Sequence, residues 1–149
     1  MSERFSLKWN DFQSVVSQSF SVLRREEDFY DVTLVSDDQT QIPAHKLVLS
    51  ASSHFFKSIL KRNPHSHPLL YLSGVNSANL NLILDYIYQG EVQVNQEHLE
   101  SFLEVAQRLK LPGSSKLLHL PRLDRRGGHR LTHLPPRPHH LQVRARIKC

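Results

Sequence analysis

Asp31, His45 and Lys46 stand within residues 28–60, DFYDVTLVSDDQTQIPAHKLVLSASSHFFKSIL, among apolar residues spaced first by two and then by three and four. A carboxylate, an imidazole and an ammonium could serve acid–base catalysis, metal ligation or charge pairing. Catalysis finds little support in the rest of the chain. There is no G-x-S-x-G and no internal cysteine nucleophile. Gly74, Gly90, Gly113, Gly127 and Gly128 never fall into G-x-G-x-x-G or G-x-x-x-x-G-K. The chain therefore reads as a non-enzyme with no nucleotide site and no cofactor. Charge pairing remains, because a charge set beside apolar surface needs a partner. At least one of Asp31, His45 and Lys46 is therefore expected to be buried or to sit at an interface, and His45 reads as a hydrogen-bonded core histidine.

Two further sets of chemistry-bearing residues lie near the C-terminus. His129, His133, His139, His140 and Cys149 are metal-ligand types, but a structural zinc site needs four ligands on a folded frame. They are read as incidental composition, with no metal site. Arg125, Arg126, Arg144 and Arg146 could touch nucleic-acid phosphates in a salt-sensitive way. Without aromatic residues for base stacking, that contact would be weak and direct specific DNA binding is not expected.

The elements that must position Asp31 and Lys46 follow from periodicity. Val32 and Leu34 share a strand face, Asp37-Asp38-Gln39 makes a turn, and a second strand and two short helices follow. The helices cluster Leu47, Val48, Phe55, Phe56, Ile59 and Leu60, with Ser50, Ser52 and Ser53 available as caps. Upstream, Phe5, Leu7 and Trp9 alternate as in a half-buried strand. Asn10 or Asp11 then caps a helix bearing Phe12, Val15, Val16, Phe20 and Leu23. Downstream, residues 68–72 predict a short strand. Asn76 or Ser77 opens a helix with Leu80, Ile83, Leu84 and Ile87 that closes at Gly90. Val92 and Val94 predict a brief strand, and Asn95 caps a last helix with Leu99, Phe102, Leu103, Ala106 and Leu109. The fold class is α+β with helices dominant.

These residues resemble the BTB (or POZ) domain. The matching positions are Asp31-Val32-x-Leu34, Ala44-His45-Lys46-x-Val48-Leu49-Ser50-Ala51-x-Ser53-x-Phe55-Phe56 and Tyr88-x-Gly90-Glu91-Val92. The N-terminal FSLKWNDFQ is similar to the insect tramtrack and bric-à-brac group, whose members begin F-x-L-[KR]-W-N. Asp11-Phe12 stands where that group more often has Asn followed by His or Tyr. The resemblance implies a helical cluster flanked by a small mixed β-sheet, with the N-terminal strand exchanged between protomers and the first helices packed together. It also implies an acidic and a basic residue in a pocket near the two-fold axis; Asp31 and Lys46 are the matching positions and are expected to pair with one another.

The same resemblance implies a homo- and hetero-oligomerising module of a nuclear transcription or chromatin regulator, pairing with itself, with related BTB proteins and with co-regulators. Such modules usually precede a DNA-binding domain. None is found in this sequence, so a truncated isoform is the expectation. Some BTB proteins are instead cullin-3 ubiquitin-ligase adaptors with a hydrophobic-x-Glu motif in the connector before the strand. Residues 61–67 here hold no glutamate, which makes that the second reading.

Composition supports a division of the chain. Its 149 residues carry a formal charge of +5. Residues 1–113 hold 10 Lys and Arg against 13 Asp and Glu, net −3, whereas residues 114–149 hold 9 against 1, net +8. The second part has four of the eight prolines, half of the ten histidines and no Phe, Trp or Tyr. It is expected to be a disordered basic tail, since it cannot bury enough apolar area to offset its ordering entropy. Residues 1–113 are expected to form one BTB/POZ dimerisation domain. Phe5, Leu7, Trp9, Phe12, Val16 and Phe20 offer more apolar surface than one strand and one helix can hide, so they are assigned to the dimer interface.

Overall fold

The computed structural model describes residues 2–114. The order of elements is α1 (Phe12–Arg25), β1 (Val32–Val35), β2 (Gln41–Ala44), α2 (Lys46–Ser52), α3 (His54–Arg62), β3 (Leu69–Tyr71), α4 (Ser77–Gln89) and α5 (Gln96–Arg108). The strands form one sheet in the order β2-β1-β3. β1 and β2 are an antiparallel hairpin with Leu34 opposite Ile42, and β3 runs parallel to β1 with Leu34 opposite Leu70. Gln39, at φ 65°, closes the hairpin, and the Ser36 N–H donates to the Thr40 carbonyl at 3.0 Å.

Side-chain caps mark the starts of α3 and α4, whereas Asp11 and Asn95, at the starts of α1 and α5, make no capping hydrogen bond. The Ser53 hydroxyl oxygen accepts from the Phe56 N–H at 3.2 Å and starts α3. The same hydroxyl donates to the Leu109 carbonyl at 2.5 Å, tying α3 to the end of α5. Asn76 accepts from the Asn79 N–H at 2.8 Å at the start of α4. Gly90 ends α4 in the left-handed region, φ 78°, with its N–H on the Tyr86 carbonyl at 2.9 Å. Glycine takes that conformation without the side-chain clash other residues meet.

One core joins the sheet to the helices. Val32, Leu34, Leu49, Phe56, Leu80, Ile83, Leu84 and Leu109 are fully buried within it. Each large side chain hidden this way contributes about 1.5–3 kcal/mol. Val105 and Leu111 also belong to this core, although the α5 stripe read from the sequence omits them.

Three expectations are corrected. Residues 5–9 form no strand within the single chain, and neither do Val92 and Val94. A strand needs a neighbour for its N–H and C=O groups, and these segments have none among the described residues. Val92 and Val94 instead rest half-buried against the core. Leu47, grouped with the apolar cluster of α2, faces solvent. No described helix is long and apolar enough to cross a membrane.

Candidate interaction surface

Asp31 and Lys46 are brought together, but not as an ion pair. Asp31 lies just before β1 and its Oδ1 accepts from the backbone N–H of Lys46 at 2.7 Å. Lys46 is the first residue of α2, so the carboxylate occupies the end of the helix where N–H groups lack intrahelical partners. The Lys46 ammonium turns the other way and donates to the carbonyls of His65 and Ser66 in the connector ahead of β3. The expected pairing of the two side chains is therefore replaced by two separate anchors within one chain. Both residues are half-buried. The spacing of fifteen residues could bring them close but could not say which atom of Lys46 the carboxylate would meet.

His45 takes the structural role read for it. Its Nε2 lies 2.6 Å from the Asp28 carbonyl and its Nδ1 lies 2.7 Å from the Tyr88 hydroxyl. A carbonyl only accepts, so Nε2 carries the hydrogen, and Nδ1 accepts from the Tyr88 O–H. The His45 backbone N–H donates to the same phenol oxygen at 2.9 Å. Burial pushes the Tyr88 phenol up to about 12, against a smaller lowering by the His45 backbone contact. Arg24 lies over the Tyr88 ring, 5.4 Å from its centre, and pairs with Asp85 at 2.5 Å. Ser21 donates to the Tyr88 carbonyl at 3.4 Å. The C-terminal half of α1 is thus pinned to α4 by polar contacts that the sequence did not announce. Tyr88 was visible only as part of the family motif.

The apolar residues assigned to an interface behave differently along their length. Phe20 is half-buried and packs against the core, and Val16 is half-buried. Phe5 and Leu7 are 81% and 96% exposed, and Trp9, Phe12 and Val15 are exposed as well. Trp9 and Phe12 meet edge to face, ring centres 5.3 Å apart. Between the C-terminal half of α1, α2 and the end of α4 lies a groove of about 300 Å³ lined by Phe20, Leu47, Val48, Ala51 and Ile87. Leu47, misread as core, lies along this groove. Arg125, Arg126, Arg144 and Arg146, the candidate metal-ligand types and the proposed basic tail lie outside the described residues.

A small sheet, a helical cluster and a run of solvent-facing aromatics define a protein-interaction module. The BTB/POZ domain matches residues 20–120, and this chain belongs to the BTB/POZ family. It is 50% identical over 111 residues to the Longitudinals lacking protein-like of Drosophila melanogaster, covering 74% of this chain and 87% of that protein. It is 46% identical over 111 residues to Protein abrupt and 38% over 113 residues to Transcription activator GAGA, both from Drosophila melanogaster. Those alignments cover 74% and 76% of this chain, but only 12% and 19% of the two longer relatives. The BTB domain of human Gigaxonin superposes with a TM-score of 0.66 at 25% identity, covering 78% of this chain and 96% of that one.

Proposed function

We propose that this chain joins copies of itself, and related BTB proteins, as the oligomerising module of a nuclear transcription or chromatin regulator. The observation that carries the reading is the uncovered apolar run Phe5, Leu7, Trp9, Phe12 and Val15, in which Trp9 and Phe12 meet edge to face. Contiguous apolar surface of this kind marks partner sites in soluble proteins. Copies would bury the N-terminal segment and α1 against one another. The half-buried Asp31 and Lys46 would then lie near the shared axis, where the family resemblance puts such a pair. Relatives that include Transcription activator GAGA support the regulatory setting.

The test is light scattering after size exclusion on the full chain in reducing buffer. A mass of at least two chains at micromolar concentration is expected, lowered towards one by Phe12→Glu combined with Val16→Glu. A monomeric parent refutes the reading. Asp31→Asn and Lys46→Ala should weaken the assembly if the pair serves the interface. If it serves only the single chain, they lower thermal stability and leave the mass unchanged.

A further inference from the structure

The segment that joins α1 to β1 is acidic and leads to a tyrosine. Glu26, Glu27 and Asp28 precede Phe29 and Tyr30, and Asp31 follows. All three leading acids are exposed, and none forms an ion pair among the described residues. Arg24, ahead of the run, is paired with Asp85, and Arg25 stands at the end of the run far from Tyr30. Across from this segment the His67 ring meets the Tyr30 ring edge to face, centres 5.4 Å apart. The Lys46 ammonium is engaged on the His65 and Ser66 carbonyls.

Tyr30 is also the tyrosine whose hydroxyl is left over. Tyr71 donates to Asp37 at 2.7 Å, Tyr86 donates to the Pro112 carbonyl at 2.6 Å, and the Tyr88 hydroxyl lies 2.7 Å from His45 Nδ1. The Tyr30 hydroxyl has no such partner among the described residues, and the residue is 44% exposed. The others also lack its acidic approach: Tyr71 follows His67-Pro68-Leu69-Leu70, and the acid ahead of Tyr86 and Tyr88 is Asp85, taken by Arg24. Backbone bonding pauses at Tyr30 as well. It stops at the Asp28 N–H, on the Leu23 carbonyl at 3.0 Å, and resumes at the Asp31 N–H, on the Ala44 carbonyl at 3.1 Å. Glu27 and Phe29 hold left-handed backbone, φ 55° and 57°, which residues with side chains seldom adopt. Straightening this stretch in an enzyme's groove relieves both. It gives up the His45 bond to the Asp28 carbonyl, and neither Phe29 nor Tyr30 belongs to the core.

We propose that Tyr30 is a phosphorylation site, taken by a tyrosine kinase whose substrate groove carries the cations that complement Glu26, Glu27 and Asp28. The γ-phosphoryl group of ATP passes to the Tyr30 phenol oxygen. A phosphorus–oxygen bond to that oxygen forms as the one to ADP breaks, and the phenol proton goes to the kinase's base. The product carries about −1.5 to −2 charges at neutral pH. It stands next to Asp31, whose carboxylate already accepts from the Lys46 N–H, and adds to the charge of Asp28. In the dimer proposed above Asp31 lies near the shared axis, so modified copies set like charges against each other and associate less. That consequence rests on the dimer; the modification does not.

The test incubates the full chain in reducing buffer with ATP, magnesium and a purified tyrosine kinase that favours acidic residues ahead of its tyrosine. Mass spectrometry locates the phosphate, and a peptide of residues 24–33 is the reference substrate. The chain should take a single phosphate on Tyr30, and none in Tyr30→Phe. Glu26→Lys combined with Glu27→Lys should slow labelling about tenfold while keeping the parent's circular dichroism. The site is overturned by a peptide that is not labelled, or by a labelled peptide beside a folded chain left unmodified at Tyr30. Equal labelling of Tyr71, or an undiminished rate in the charge-reversed variant, overturns it too. Light scattering then reads the consequence. The phosphorylated chain should show a lower mass than the untreated parent at equal concentration, with Tyr30→Phe unaffected by the same treatment. An unchanged mass overturns the consequence and leaves the site standing. A parent already monomeric before treatment refutes the dimer and the consequence together, whatever happens at Tyr30.

Discussion

α1 and α4 are nearly equal in length, 14 and 13 residues, and pack against each other, yet α4 buries Asn79, Leu80, Ile83, Leu84 and Tyr88 while no residue of α1 is more than half-buried. Apolar residues recur at helical spacing in both. What differs is the company each helix keeps. α4 is packed between α1, α2 and α5, so its apolar stripe is spent inside the chain. α1 touches the domain through Phe20, Arg24 and Ser21 near its C-terminal end and leaves Phe12 and Val15 in solvent. An amphipathic pattern reports that a face needs cover. It does not report whether the cover comes from the same chain.

The comparison can be broken most directly in α4. Leu84→Ala should cost about 2–5 kcal/mol, the range for emptying a fully buried leucine site, and urea unfolding should show that loss at every protein concentration. Phe12→Ala in α1 should instead change apparent stability only in step with protein concentration, because it acts through association. A concentration-independent loss of the α4 size at Phe12 would make the two helices equivalent and undo the contrast.

Tyr88→Phe tests how α4 is tied to His45 at the start of α2. It keeps the ring under Arg24 but leaves the His45 N–H and Nδ1 without their phenol, an expected cost of about 1–3 kcal/mol. An unchanged urea midpoint would show that the phenol does not hold this corner. The smallest effect concerns the turn that abuts α4. The Asp38 carboxyl is held well below its ordinary 3.8 by the Ser36 hydroxyl and then by Ser77, and Asp37 is lowered by the Tyr71 hydroxyl and then by the Gly74 backbone. A depressed carboxyl contributes stability that is present above 3.8 and is lost as pH falls through the folded value. Urea midpoints should therefore fall on acidification below 3.8, and less steeply in Asp38→Asn.

Much of this fold is legible in the sequence where local chemistry decides it. Ser53, Asn76 and Gly90 mark helix ends because their caps act within a few residues. The strands read at Phe5-x-Leu7-x-Trp9 and Val92-x-Val94 were not formed, since alternation shows fitness for a sheet and not the presence of a neighbour. Leu47 was misplaced for a related reason. In a seven-residue helix a leucine next to core Val48 and Leu49 can fall on either side of the buried stripe. For the candidate interaction surface, residue types and family motif singled out segments and not contacts. The atoms were out of reach: the carboxylate of Asp31 meets a backbone N–H, and the ammonium of Lys46 meets two carbonyls.

Ser53, the hydroxyl that both starts α3 and holds the Leu109 carbonyl, has a consequence for whatever the chain carries after residue 114. With the Tyr86 hydroxyl on the Pro112 carbonyl at 2.6 Å, it fastens the segment that follows α5 at two points. The backbone at Leu109 and at Pro112 is therefore held at two fixed positions. The reach of any following segment is measured from there, and in an assembly each copy adds one such anchor. The effective concentration of one appended segment near another is then governed by the spacing of these anchors and the length of chain between them. Loosening Ser53 would blur that spacing without touching any surface through which copies are proposed to meet.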